Sequence, residues 1–554
     1  MKKYMLWVEL IIVLPTISLA QEWVARYNGP GNGDDIAYAL AIDNADNVYV
    51  TGWSWGSSGG YAYATVKYDS SGMEQWVARY SGPEVRENCW DYAYAIAVDN
   101  AGNVYVTGWS QGSGTGDDYA TVKYDSSGVE QWVARYNGAA SGGDGANAIA
   151  VDNAGNVYVT GQSHGPGTAW DYATVKYDSS GVEQWVARYD GPGNSWDHAY
   201  AIAIDNAGNV YVTGWSWGSG TGYDYATIKY DSLGIEQWVA RYDGPGSGVD
   251  WASALAVDDA GNVCITGWSW GSVSGDDYAT VKYDSSGVEQ WVAQYYGPGN
   301  DIDRAHALTV DDAGNVYVTG ESWGAGTEYD YATVRYLSLG AERWVARYDG
   351  PGSGFDYAHA IAVDNVGNVY ITGESEGSGT DHDYATVMYD SSGVEQWVAR
   401  YNGPGNDDDI AYALAIDNAS NVYVTGWSKG LGTGNDYATI KYSCVGIEEN
   451  ALRHTPDALR LLQVYPNPFR HKTDIRYEIP EEVDSRQKSV VSMKIYDATG
   501  RLVKDFRLTP NALRLTQISW DGTNQANRLL PSGVYFLKLE VGDYSATEKL
   551  LLIR

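Results

Sequence analysis

The string Val-Tyr-Val-Thr-Gly, or a near variant, occurs eight times in this chain, beginning at Val48, Val104, Val157, Val210, Val263, Val316, Val369 and Val422. The spacing is 53 residues, apart from a first interval of 56 whose extra length falls around Glu84 to Cys89. A second string, Trp-Val-Ala-Arg-Tyr, also occurs eight times between Trp23 and Trp397, with Gln294 replacing arginine in one copy. Self-similarity at a fixed period means stacked supersecondary units, not one ordinary core.

Each period holds four candidate strands. In the first copy these are Ile36 to Ile42, Val48 to Trp53, Tyr63 to Tyr68 and Gln75 to Tyr80, all rich in β-branched and aromatic residues with period-two alternation. The joints read as short hairpins. Asp99-Asn100-Ala101-Gly102-Asn103 and Asp69-Ser70-Ser71-Gly72 each offer glycine for a left-handed position, which Asp46 and Ser420 take over in the first and last copies. Four antiparallel strands in 40 to 55 residues are the mark of a propeller blade. The expected first strand is alanine-lined (Ala37, Ala39, Ala41) because blades crowd at the axis, and the fourth carries Trp76 and Tyr80, which suit a wider gap.

Strand order makes a sharper expectation. The array starts with a fourth-type strand, Gln21 to Tyr27, and ends with a third-type strand, Tyr437 to Tyr442. The N-terminal strand is expected to complete the eighth blade and remove two open sheet edges. The fold class is therefore all-β: an eight-bladed propeller of four-stranded blades over 21–442, a linker over 443–458, and a small immunoglobulin-like β-sandwich over 459–554. Residues 1–20 read as a signal peptide. Lys2 and Lys3 precede an apolar run from Met5 to Ile17 and a Ser18-Leu19-Ala20 cleavage site, so no transmembrane anchor is expected after cleavage.

The units, DNAGNVYVTG followed by DYATVKYDSSG and EQWVARY, resemble the bacterial β-propeller repeat family called SBBP. The family's label refers to seven blades, whereas this chain counts eight. The C-terminal part resembles the type A sorting domain of the type IX secretion system. It carries VYPNPF (Val464 to Phe469), MKIYDATGRLVK (Met493 to Lys504), LPSGVYFLKLE (Leu530 to Glu540) and a final LLLIR, in that order. That resemblance implies recognition by the type IX secretion machinery and a secreted or outer-surface location on a Gram-negative-type bacterium.

Charge narrows the partners. The chain carries a net charge of −35. The stretch from Ala451 to Arg554 has 16 basic and 12 acidic residues, leaving 20 basic and 59 acidic for the rest. So acidic a propeller is unsuited to nucleic acid or an anionic membrane surface. Three cysteines, Cys89, Cys264 and Cys444, make no complete disulfide framework, although Cys89 and Cys444 could pair in an oxidising compartment.

Loop placement selects a candidate face. The tight DNAGN and DSSG turns share one face, and the longer second-to-third and fourth-to-first loops share the other. The second face collects Trp53, Trp55, Trp109, Trp215, Trp217, Trp268, Trp270, Trp323 and Trp427, with Asp118, Asp171, Asp224 and Asp277 beside them. Indoles beside carboxylates suit stacking on sugar rings, and these are the candidate ligand-binding residues. Packing between blades is the competing account of the tryptophans, though Gln162, Glu321 and Glu374 replace Trp53 in three copies. The aspartates also include Asp91, Asp197, Asp250, Asp330, Asp356, Asp383 and Asp436. Their regularity suits capping of loop N–H groups, and calcium is the one cofactor their oxygens suggest.

No catalytic residues are assigned. Near-identical blades repeat the same groups, and no serine elbow, HExxH or phosphate loop occurs. The expected function is a secreted or surface binding or scaffold protein for an extracellular glycan or protein. An adhesive scaffold without a small ligand, and a polysaccharide-acting enzyme on a propeller frame, are the alternatives.

Overall fold

The computed structural model describes residues 18–445, except 84–88, 141, 247, 272–274, 300 and 353, and much of 461–553. Most of the expected signal peptide and linker lies outside the described residues, as does the Cys444 side chain. Two compact units result, one running through Cys444 and the other from Val445 onward.

The first unit contains eight four-stranded antiparallel sheets. In blade 1 the strands are Asp35–Ile42, Val48–Trp55, Tyr61–Tyr68 and Glu74–Tyr80, hydrogen-bonded in that order. Blades 2 to 7 repeat this arrangement from Asp91, Asp144, Asp197, Asp250, Asp303 and Asp356. Blade 8 is Asp409–Ile416, Val422–Lys429 and Asn435–Val445, completed by the N-terminal strand Ser18–Tyr27. That strand begins upstream of the expected cleavage point after Ala20. First strands of neighbouring blades touch all the way round, including blade 8 against blade 1, so they line the axis of a closed ring.

Eight apolar clusters hold the ring, one at each blade junction. The blade 8–blade 1 cluster joins Tyr27, Tyr423 and Tyr437 to Ala37, Val48, Val50 and Val66. Polar bonds repeat with the same regularity. Tyr63 OH donates to Ala120 O of the next blade at 3.3 Å, and Tyr437 OH does the same to Ala64 O across the seam at 3.1 Å. The fourth-strand indole Trp76 donates to Ser126 O at 3.2 Å, and Trp23 donates to Ser70 O at 3.2 Å. Glycine is required beneath these indoles. At Gly72, whose φ is 83°, an added Cβ would lie 2.6 Å from the Trp23 ring. Blade 8 has no third-to-fourth hairpin of its own, and Trp397 Nε1 is correspondingly buried without a partner among the described residues.

One expectation about the first strand is corrected. Its alternation is interrupted by a β-bulge between Ala37 and Ala39, present at the same place in all eight blades. The bulge moves the inward face by one residue. Ala37 packs into the blade junction together with Leu40 and Ile42, whereas Ala39 and Ala41 are only half-buried and outside that cluster. Asp46 and Ser420 do adopt the left-handed conformation, with φ of 58° and 59°.

The second unit is a two-sheet sandwich. One sheet pairs Leu461–Tyr465, Thr473–Glu478 and Thr516–Trp520; the other pairs Leu502–Arg507, Val491–Asp497, Gly533–Val541 and Tyr544–Leu552. Its core gathers Phe469, Ile475, Met493, Trp520, Leu537 and Leu552. The first and last sorting strings meet there, since Ile553 N donates to Phe469 O at 2.8 Å.

Candidate functional site

The bulge re-aims one side chain per blade at the axis. These are Tyr38, Tyr94, Asn147, Tyr200, Ser253, His306, His359 and Tyr412. Five of them form a continuous arc across blades 2, 1, 8, 7 and 6. Ring centroids lie 5.4 Å apart for Tyr94–Tyr38, 5.0 Å for Tyr38–Tyr412, 5.4 Å for Tyr412–His359 and 5.9 Å for His359–His306. Sequence reasoning passed over this ring, because an ideal strand would not single out these positions.

The candidate tryptophans fall into two groups. The inner group follows the first-to-second strand pairing: Trp53 opposite Ile36, Trp109 opposite Tyr92, Trp215 opposite His198, Trp268 opposite Trp251 and Trp427 opposite Ile410. These indoles mainly pack. Trp215 is 4% exposed, stacked on His198 at 4.2 Å, with Trp251 at 4.8 Å. Burial there pulls the His198 pKa down to about 4, which keeps the ring neutral. The outer group is Trp55, Trp217, Trp270 and Trp323, which lie over the fourth-to-first loops. Cβ atoms added at Gly31 or Gly193 would strike Trp55 or Trp217 at 2.4 and 2.2 Å. Even so, Trp217 is 37% and Trp270 48% exposed, and two further indoles, Trp90 and Trp196, are 55% and 49% exposed. Trp90 and Trp196 directly precede first strands, so all four stand on the loop face.

The candidate aspartates are buried. Asp118, Asp171 and Asp224 are buried ion-pair partners of Arg135, Arg188 and Arg241 in the fourth strand, at 2.9, 2.8 and 2.7 Å. Asp330, Asp383 and Asp436 repeat the arrangement with Arg347, Arg400 and Arg26. Asp277 is fully buried where Gln294 replaces the arginine. Arginine takes Oδ2 of each of the six paired carboxylates, and Oδ1 of each is buried without a hydrogen-bond partner among the described residues. Backbone capping belongs to the aspartates that open each first strand: Gly82 N donates to Asp91 at 2.9 Å, Gly191 N to Asp197 at 2.8 Å and Gly350 N to Asp356 at 2.7 Å.

Three acidic groups recur at blade junctions: Asp171, Asp190 and Asp197; Asp224, Asp243 and Asp250; Asp330, Asp349 and Asp356. Each offers three carboxylate oxygens within 4.8 Å, with an arginine already bound to the first. Burial, aided by repulsion from the neighbouring Asp190, Asp243 or Asp349, raises Asp197, Asp250 and Asp356 to about 6. A carboxyl with a folded pKa above its unfolded one favours the folded state at low pH, and the gain is lost as pH rises through about 6. Between pH 7.5 and 5 each triad is expected to add roughly 1 to 2 kcal/mol, opposed by His198, whose lowered pKa acts in the other direction. Denaturant unfolding at both pH values checks this. Replacing Asp190, Asp243 and Asp349 by asparagine should shrink the gain, and an unchanged pH response would refute the assignment.

Blades 6 and 7 break the symmetry together. Arg304 lies over the Trp268 ring at 5.0 Å and binds Asp276 through Nε at 2.8 Å. His306 Nε2 contacts Glu321 Oε2, and His359 Nε2 lies 3.5 Å from Glu374 Oε1. Tyr357, influenced by both glutamates, is pushed up to about 12, chiefly by burial. On the opposite face, the clefts are shallow repeats of the blade spacing. One of 460 Å³ between blades 5 and 6 is lined by Asp258, Lys282, Trp291 and Leu339, and much of its polarity is used in the 3.2 Å Lys282–Asp258 pair.

Among the described residues no helix is long and apolar enough to cross a membrane. The β-propeller repeat model, SBBP, matches residues 22–60, 90–114, 131–167, 184–220, 290–326, 344–379 and 396–432. The structural copy without a match is blade 5, where Trp251 and Cys264 depart from the repeat. The secretion system C-terminal sorting domain model matches residues 463–553. No curated protein matches the chain. Among solved structures it is similar to PorZ, an essential bacterial surface component of the type IX secretion system of Porphyromonas gingivalis. Identity is 16%, with 94% of this chain and 66% of PorZ covered and a TM-score of 0.39, so this chain spans just under two thirds of PorZ. It is also similar to a protein of unknown function from Dyadobacter fermentans, at 9% identity, 78% and 100% coverage and a TM-score of 0.34. Likenesses this distant carry no functional weight. The repeats and the C-terminal unit together identify the chain as an SBBP β-propeller repeat protein whose sorting domain directs it through type IX secretion to the cell surface or outside.

Proposed function

We propose that the exported propeller is a carbohydrate-binding protein, not an enzyme, and that it takes its ligand on the loop face. The observation that carries this reading is the exposure of Trp90, Trp196, Trp217 and Trp270 on one face. Exposed indoles cost solvation unless something covers them, and their flat faces suit the apolar side of a sugar ring. Polar groups stand beside one of these indoles: Asp276 is the register partner of Trp270 and binds Arg304 Nε at 2.8 Å. Sugar hydroxyls need donors and acceptors of this kind around an aromatic platform. The acidic surface favours neutral glycans over anionic ones.

A glycan array probed with the full chain tests the reading. Trp196→Ala and Trp217→Ala are each expected to weaken a reproducible hit about tenfold or more, with the melting transition retained. A blank array from folded protein, or hits indifferent to both substitutions, would sink it.

A further inference from the structure

In several blades the bulged first-strand residue contacts the second-strand residue fifteen positions later, as in blades 2, 3, 6, 7 and 8. Tyrosine is matched with tryptophan in blades 1, 2, 4 and 8, as in Tyr412–Trp427. Asn147 is matched with Gln162 in blade 3, bonded at 2.8 Å, and Ser253 with Trp268 in blade 5. Blades 6 and 7 alone combine a bulged histidine with a glutamate fifteen positions later, His306 with Glu321 and His359 with Glu374, while Arg304 and Tyr357 are the register partners of the two glutamates. The two exceptional pairs are therefore adjacent, and the ring closes two imidazoles and two carboxylates onto one sector of the axis.

We propose that His306, Glu321, His359 and Glu374 bind one divalent transition-metal ion, with the ligand preferences of zinc, where blades 6 and 7 meet at the axis. The donor set is two imidazole nitrogens and two carboxylates, a combination that suits zinc and its neighbours better than calcium. The imidazole centroids are 5.9 Å apart, and because no three of these four donors lie within 4.8 Å of one another as placed, the side chains must rotate to share one ion. His359 Nε2 makes no hydrogen bond, and its nearest acid is Glu374 Oε1 at 3.5 Å, a pair that an ion would bridge. Glu321 is 5% exposed, and its closest partner is His306. The nearest guanidinium, Arg304, is already committed to Asp276. Two carboxylates without a fixed cation match the charge of a divalent ion, and ion entry replaces the His306–Glu321 contact. This inference stands apart from the carbohydrate reading, so either can fail alone.

The test is a calorimetric titration of chelator-treated full chain with zinc chloride, alongside visible absorption with cobalt(II). One ion per chain is expected, with the absorption of a nitrogen- and oxygen-ligated cobalt site. The informative variant is the double substitution His306→Asn with Glu321→Gln, because blade 3 already holds an Asn–Gln pair at these positions. It should fold, keep the interstrand bond and weaken zinc at least about 100-fold. His359→Asn with Glu374→Gln should do the same, whereas Asp190→Asn should leave zinc binding unchanged. Absence of tight zinc binding in the unmodified chain would overturn the proposal. So would zinc affinity untouched by either pair of substitutions, or lost instead in Asp190→Asn.

Discussion

A chain begun at Asn28, without the N-terminal strand, is expected to lose the cooperative unfolding of the propeller and to self-associate. The missing strand contributes Trp23, Ala25 and Tyr27 to the cluster between blades 8 and 1. It also supplies Arg26, which donates to Tyr401 OH at 3.0 Å, Ser428 Oγ at 2.6 Å, Ser428 O at 2.8 Å and Asp436 at 3.0 Å. Without it Asp436 is a buried charge with no counter-ion, and the strand Asn435–Val445 becomes an open edge. Removing a single buried aromatic costs about 3 to 5 kcal/mol, and this deletion removes two along with an ion pair. Size exclusion and denaturant unfolding provide the readout, and adding a synthetic 21–28 peptide should partly restore the monomer. An unchanged midpoint would mean that the ring does not depend on its seam.

The second large effect is an asymmetry within one ion pair. Arg241→Met is expected to cost about 3 to 5 kcal/mol, because it leaves Asp224 charged and buried. Asp224→Ala should cost about 1 kcal/mol, the scale of a lost hydrogen bond. Blade 1 supplies the reason: Ala62 occupies the aspartate position there, and Arg79 still donates to Tyr27 OH at 2.9 Å and Ser54 O at 2.9 Å. Arg241 has the same fallback in Tyr189 OH and Ser216 O, at 2.9 and 2.8 Å. Chemical denaturation of both variants decides the matter, and a costlier Asp224→Ala would reverse the account.

The candidate site was less legible than the fold. Strand limits read from alternation came within two residues of Asp35–Ile42, Val48–Trp55, Tyr61–Tyr68 and Glu74–Tyr80. The same alternation misplaced Ala39 and Ala41, because a bulge is an insertion in backbone register and leaves no trace in residue type. Asp118 and Asp197 looked alike as pre-strand aspartates. They separate only because the fourth-strand arginine reaches one and a loop N–H reaches the other. The substitutions Glu321 and Glu374 stood out as departures from tryptophan. Their partners His306 and His359 carried the other half of the signal, fifteen residues upstream, where ordinary strand periodicity does not look.

From the sequence alone followed the blade number, the hairpin turns, the borrowed fourth strand and the export domain. Each is written in local periods, strand order or contiguous strings, which survive without knowledge of long-range contacts. Tertiary structure decided the rest. Which indoles face solvent, which aspartates are consumed by arginine and which histidines meet across a junction depend on residues about fifty positions apart, or some four hundred across the seam. Those distances are set by ring closure, and closure is a property of all eight blades together.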